Sequence, residues 1–261
     1  MRWRWPWQRE SVGPVQFGEL TWDVHSHVVP GVDDGAVDLD AALTMVRSMS
    51  ELGYQGMVLT PHVMSDLYPN TPENLQPAFD RLVDAVNKEG IPMQLKLAAE
   101  YLLETDFFQA LEADSLLTFP CRDGRGRTQS LVLLEFGFHH APNKDMVQEA
   151  IFQCQQRGHV PVLAHCERYP YFHKDESLLM MWMDRGGWLT VNAASLVGAY
   201  GPETRNMAQK CMERGWVSFL CSDAHGLRHI HALKELQQSA VVAKWMASPS
   251  CCHQGLGSRL A

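Results

Sequence analysis

Short apolar runs alternate along this chain with longer segments of helical periodicity. Runs at 21–24, 56–60, 92–98, 130–134, 160–164, 188–192 and 217–221 read as strands. Between them, apolar residues recur at three- and four-residue spacing. Leu39, Ala42, Leu43, Val46 and Met49 place a helix over 38–52, which Gly53 stops. Helices are likewise predicted over 72–89, 106–111, 144–157, 178–185, 202–214 and 230–246, with Pro72 suited to a first turn and Gly90 to an end. The Gly/Arg-rich stretch 122–128 reads as an exposed hairpin turn. About seven strands alternating with helices, without a linker or an internal repeat, predict parallel βα units in one α/β domain over 21–247. Residues 1–20 are expected as a flexible arm and 248–261 as a flexible tail.

The chemistry sits at the ends of these apolar runs. His25 and His27 close the first strand, His62 the second and Glu100 the third. Glu135 comes directly after Leu131–Leu134, His165 after Val162–Ala164, and Asp223 and His225 after Phe219–Cys221. In parallel βα architectures these C-terminal ends share one face, where active sites are built. Any one of these histidines, taken alone, is better read as a packed or solvated side chain. Six strands ending in His, Asp or Glu are better read as a metal centre. Glu135 is the sharpest case, because a carboxylate beside an apolar strand is costly to bury unless it is paired or metal-bound. Imidazoles and carboxylates without a thiolate suit Zn, Mn or Fe(II), with Mg also open. There are too many candidates for one ion, so two to three divalent ions are implied. Such sites lower the pKa of water and clamp phosphate oxygens.

Composition narrows the partners. The chain has 261 residues, 46% of them hydrophobic, and a formal charge of −8, which argues against a nucleic-acid binder. An acidic protein that handles an anionic substrate needs local positive charge, and metal ions supply it. Seven cysteines without a Cys-x-x-Cys pair suggest reduced thiols in a cytoplasm. No apolar run approaches the roughly 20 residues of a membrane span, and the first residues lack the apolar core of a signal peptide. Met1–Arg9 carries Trp3, Trp5 and Trp7 among arginines, an arm able to touch an anionic membrane surface.

His25-x-His27, Pro30-Gly31-Val32-Asp33-Asp34-Gly35, Thr60-Pro61-His62, Ala164-His165-Cys166-Glu167-Arg168 and Ser222-Asp223-Ala224-His225 resemble motifs of the polymerase and histidinol phosphatase (PHP) superfamily. More closely, the chain resembles the bacterial manganese-dependent protein-tyrosine phosphatases of capsule and exopolysaccharide loci, over about 21–236. The resemblance implies a distorted (βα)₇ barrel with a trinuclear centre on His25, His27, Asp34, His62, Glu100, Glu135, His165, Asp223 and His225. It also implies a phosphotyrosine protein as substrate, most directly a membrane-anchored bacterial tyrosine kinase that regulates polysaccharide synthesis. Cys166 stands where the family usually has proline. Arg168, three residues past His165, is assigned to the substrate phosphate, because a guanidinium fork matches two phosphate oxygens. Arg228, three past His225, is a second candidate.

Three rival readings remain. Cys121 to Arg127 formally fits the Cys-x₅-Arg loop of cysteine-dependent tyrosine phosphatases, but such a loop should open a helix that cradles the phosphate, and here a strand comes next. A small-molecule phosphatase of the histidinol-phosphatase kind shares the metal motifs. A non-catalytic phosphotyrosine-binding module would have no need of nine metal ligands.

Overall fold

Residues 20–122 and 126–253 are described by the structure, a computed structural model. In chain order it comprises β1 (Trp22–Asp23), α1 (Leu39–Glu51), β2 (Gly56–Leu59), β3 (His62–Val63), α2 (Pro72–Lys88), β4 (Gln94–Leu97), β5 (Glu100–Leu102), α3 (Thr105–Glu112) and β6 (Phe119–Arg122). Then come β7 (Thr128–Glu135), α4 (Lys144–Gln156), β8 (His159–Leu163), α5 (Ser177–Asp184), β9 (Trp188–Asn192), α6 (Ala193–Leu196), α7 (Pro202–Glu213), β10 (Phe219–Cys221), α8 (Leu227–Glu235) and α9 (Ala240–Met246). Local chemistry accounts for several boundaries. The Asp38 side chain accepts from the Ala41 N–H at the start of α1, and Thr71 forms a reciprocal capping box with Asn74 ahead of Pro72 in α2.

All sheet pairings but one are parallel. β1, β2 and β4 are neighbours, and β3, β5, β7, β8, β9 and β10 stand in that lateral order. β3 resumes the line of β2 after Pro61, which has no N–H to give the ladder. β5 resumes the line of β4 after Ala98 and Ala99. The strands predicted at 56–60 and 92–98 correspond to β2 and β4, and each is followed after a two-residue break by a short strand that opens on a candidate ligand, His62 or Glu100. The sheet curls until its two ends meet: Ser26 and Ala224 form an isolated parallel bridge, and the Asp223 N–H donates to the His25 carbonyl at 2.9 Å. The exception is β6, antiparallel to β7 with Arg122 opposite Thr128, as a hairpin requires; residues 123–125 of the predicted turn lie outside the described residues.

Two cores result from the period-2 pleat. Val132, Leu134, Leu163 and Leu220 join the large cluster shared with the helices. Their alternates Leu131, Leu133, Val162 and Phe219 join Trp22, Val58 and Ala98 in a second cluster that contains no helix residue. This second face is turned away from the helices, into the curl.

The C-terminal region departs from expectation. The helix predicted over 230–246 is two helices separated by a 3-10 turn at Leu236–Gln238, and the Ser239 side chain caps the second. The expected loose tail does not begin at 248. Cys252 donates its N–H to the Ser218 carbonyl, and His253 is fully buried, donating to the Trp22 carbonyl and accepting from the Leu220 N–H. Burial of an apolar ring edge between Phe219 and Trp245 holds it there. Residues 254–261 and the predicted arm up to residue 19 lie outside the described residues, whereas Leu20 is buried in the large core. Among the described residues, no helix is long and apolar enough to cross a membrane.

Candidate metal centre

Four inward rows end in a ligand type, whereas His25 and His27 fall on the opposite parity to the inward Trp22 and Val24 of the first strand. Val58 leads in steps of two to His62, Ala98 to Glu100, Leu133 to Glu135 and Cys221 to Asp223, so strand parity alone aims these four into the curl. His165 is off that parity, and its backbone is left-handed, with φ of +34°. Asp223 is left-handed as well, at +47°. Such φ values are rare outside glycine and concentrate at functional sites. Both are held by the neighbouring strand: the His165 N–H donates to Thr190 Oγ1 at 2.8 Å, and the Asp223 N–H to the His25 carbonyl.

All nine predicted ligand residues converge. His25 Nε2 lies 3.2 Å from His27 Nε2, 3.2 Å from Glu100 Oε2 and 3.5 Å from Asp223 Oδ1. His27 Nε2 lies 3.3 and 3.4 Å from the same two oxygens. His62 Nδ1 lies 3.1 Å from Glu100 Oε2 and 3.0 Å from Glu135 Oε1, and His165 Nε2 lies 3.0 Å from Glu100 Oε1. Asp34, half exposed at the mouth, lies 3.6 Å from His62 Nε2 and 3.4 Å from His225 Nε2. Three groups of donors come close enough to surround a cation: His25, His27 and Glu100; His62, Glu100 and Glu135; and His27, Asp34, His62 and His225.

These residues fit divalent ions better than they fit each other. Glu100 Oε2, Glu135 Oε1, Asp223 Oδ1 and His62 Nδ1 are buried and make no aligned hydrogen bond, despite neighbours near 3 Å. Buried polar atoms are normally satisfied. A tetrahedral ion with ligands at about 2.0–2.1 Å spaces its donors by about 3.3 Å, which is the spacing around His25 and His27. Electrostatics agrees. Burial opposes ionisation of Glu100 and Asp223, yet the surrounding histidines, His25 foremost, hold both well below the usual carboxylate range. Burial likewise opposes a charged His62, but Glu100 and Glu135 push it up to about 10. Asp34 is pulled down to about 2, chiefly by its contact with His225. A concentrated negative field of this kind attracts cations.

A supporting layer fixes the ligands, and most of it goes unmarked in the sequence. Asp33 Oδ2 lies 2.8 Å from His27 Nδ1 and accepts the His62 N–H, while Oδ1 accepts the Gly35 N–H. A carboxylate on the far nitrogen of a ligand histidine sets its tautomer and orientation. Gly35 has no room for a side chain, since a Cβ there would sit 1.9 Å from the His27 carbonyl oxygen. The Pro-Gly-Val-Asp-Asp-Gly turn is thus a tight return loop that presents both carboxylates, Asp34 forward and Asp33 behind. The Asp-Asp pair was the available signal for the second role. Asn192 donates to Asp223 Oδ2 at 2.6 Å, and Glu167 is fully buried, accepting from Ser195 Oγ and the Asn192 N–H. Nothing in the linear sequence marks Asn192 or Ser195.

Arg168 does not pair with Glu167. Its Nη1 donates to Asp223 Oδ2 at 3.1 Å, and its Cζ lies 4.9 Å over the Phe138 ring and 4.5 Å over the Tyr200 ring. Arg228, exposed on α8, lines the same cleft, which encloses about 630 Å³. Cys121 is elsewhere. It is buried on β6 opposite Gln129, at the start of β7, whereas Glu135 ends that strand about 20 Å away. Among the described residues a strand, β7, and not a helix comes next, which argues against the Cys-x₅-Arg reading. No disulfide links the seven cysteines.

Fold and site together define an α/β protein whose curled parallel sheet carries a histidine–carboxylate centre at its C-terminal mouth. Comparison with known proteins makes this specific. The chain belongs to the capsular polysaccharide synthesis family CpsB/CapC, whose model matches residues 21–247. It is 28% identical over 216 residues to the tyrosine-protein phosphatase YwqE of Bacillus subtilis, covering 82% of each chain. It is 23% identical over 210 residues to the tyrosine-protein phosphatase CpsB of Streptococcus pneumoniae, covering 78% of this chain and 83% of that one. A crystal structure from a study of YwqE and CpsB, described as unique metal-dependent tyrosine phosphatases, superposes with a TM-score of 0.73 at 25% identity, over 90% of this chain and 94% of that one. Histidinol phosphate phosphatase from Lactococcus lactis shares the fold, with a TM-score of 0.51 at 14% identity, over 84% and 93% of the chains.

Proposed function

We propose that this protein is a metal-dependent tyrosine-protein phosphatase of capsule or exopolysaccharide synthesis, hydrolysing phosphotyrosine in a protein substrate. The observation that carries this reading is the convergence of His25, His27, Asp34, His62, Glu100, Glu135, His165, Asp223 and His225 on one mouth, with Arg168 beside them. Two to three ions, Mn first among the candidates, would be held there by the three donor groups, with His165 and Asp223 completing them. Bound divalent ions supply an activated water and neutralise charge on the phosphoryl group.

The chain's own residues do the rest. Arg168 is pinned by Asp223 on one edge and by two rings on its faces, which leaves the guanidinium fixed to receive phosphate oxygens in a planar fork. Arg228 lines the same cleft and adds a second cation for the phosphate. Buried walls keep bulk water from the centre, which strengthens every charged contact within it. A phenolate, with a conjugate acid of pKa about 10, leaves more readily than an alkoxide.

The finer points of this reading are a distorted (βα)₇ barrel, a membrane-anchored tyrosine kinase as the substrate and a cytoplasmic location. The seven parallel strand positions and the Ser26–Ala224 bridge support the first. The capsule-synthesis family supports the second. Cysteines without a disulfide support the third. The test is phosphate release from a phosphotyrosine peptide. Turnover should require Mn²⁺, vanish with a chelator and with His165→Ala, and survive thiol alkylation. Turnover confined to small alkyl phosphates would overturn it in favour of a histidinol-phosphatase-like enzyme. Stoichiometric peptide binding without phosphate release would favour a binding module.

A further inference from the structure

Two rings in the cleft stack on the candidate ligand imidazoles themselves. Tyr68 lies on His62 with ring centroids 5.5 Å apart and planes 12° from parallel. Phe138 lies on His165 at 5.6 Å and 22°. The two imidazoles flank one carboxylate, with His62 Nδ1 3.0 Å from Glu135 Oε1 and His165 Nε2 3.9 Å from Glu135 Oε2. Tyr68 and Phe138 therefore stand on two sides of the floor where a phosphoryl group held by Arg168 would sit. Leu67 is 72% exposed and Leu227 is 38% exposed, and both line the same cleft. These are two of the few large apolar side chains left in water, which gives their shared position weight.

We infer that Tyr68 and Phe138, with Leu67 and Leu227 at the lip, form the leaving-group subsite, a flat apolar slot that takes the aryl ring of a phosphomonoester. The inference rests on the phosphatase reading of the centre and adds what that reading leaves open, namely which residues choose aryl over alkyl esters. Rings prefer offset-stacked or edge-to-face partners with centroids 4.5–7 Å apart, and Tyr68 and Phe138 are already oriented by the imidazoles beneath them. Phe138 is already covered in part by His165 and Arg168, so an alkyl ester would leave chiefly Tyr68 and the two leucines wet. Because Phe138 also packs on Arg168, Tyr68 is the residue that isolates the slot from the phosphate contact.

The experiment uses the full chain with Mn²⁺ and two ligands that cannot be hydrolysed, phenylphosphonate and methylphosphonate, with binding measured by calorimetry. They share a charged head and differ in the ring. The wild type should bind phenylphosphonate roughly tenfold more tightly. In Tyr68→Ala most of that preference should vanish while methylphosphonate affinity holds, and Tyr68→Phe should restore it. Equal affinities in the wild type, or equal weakening of both ligands in Tyr68→Ala, would overturn the slot and leave the phosphatase reading standing. Binding of neither phosphonate in the presence of Mn²⁺ would overturn both.

Discussion

Arg168 shows how little freedom a single side chain at this mouth retains. Asp223 takes one edge of its guanidinium, and Phe138 and Tyr200 cover its faces. Replacing it with lysine keeps the charge and loses the fork, so kcat/KM on a phosphotyrosine peptide should fall about 10–100-fold, with bound Mn per chain unchanged by elemental analysis. Asp33→Ala should behave in the opposite way. It frees the far nitrogen of His27 and should weaken Mn²⁺ binding about 10–100-fold by calorimetric titration, before any effect on substrate affinity. These two residues also mark the limits of reading a site from sequence. The place of Arg168 in the cleft was legible because it comes soon after a strand-end histidine. Asp33 was hidden because two adjacent carboxylates look alike until the return loop turns one toward the mouth and the other behind it. Asn192 and Ser195 were invisible, since their partners lie 31 and 28 residues away.

At the scale of elements, strand parity made the site legible and local backbone geometry limited what could be read. Apolar steps of two lead to His62, Glu100, Glu135 and Asp223, and the pattern survives even though two strands break on the way. The left-handed turn at His165 and the fold-back of the Pro-Gly-Val-Asp-Asp-Gly loop have no periodic signature. The C-terminal helix was misread for a related reason: Ser239 is an ordinary polar residue in a helical pattern until its side chain caps a new helix. Two substitutions test the element scale. Gly35→Ala forces a Cβ onto the His27 carbonyl and should displace the loop, costing Mn²⁺ affinity as well as Tm. Asp38→Ala removes the cap of α1 and should cost about 1 kcal/mol in denaturant unfolding, with metal binding retained.

Across the whole molecule, the two ends of the described chain hold each other. His253 is buried between the first and last strands, and burial pushes its imidazole down to about 4, against about 6.5 when unfolded. Below about pH 6.5 the unfolded chain binds a proton that the folded one refuses until about pH 4. Stability should therefore fall by about 2–3 kcal/mol as the pH drops through that window, and His253→Gln should flatten this slope in urea titrations. Asp23 and Ser222 meet in the same region, 199 residues apart in sequence and a few residues before the bridge that joins Ser26 to Ala224. That closure has a consequence in time. During synthesis, a chain that has made its first two hundred residues owns seven of the nine donors, yet it lacks the strand against which His25 and His27 are set. Contacts of such long range form late. On the proposed metal reading, a chain stopped short of residue 223 should therefore bind Mn²⁺ more weakly than the full chain, which calorimetric titration of the two would show.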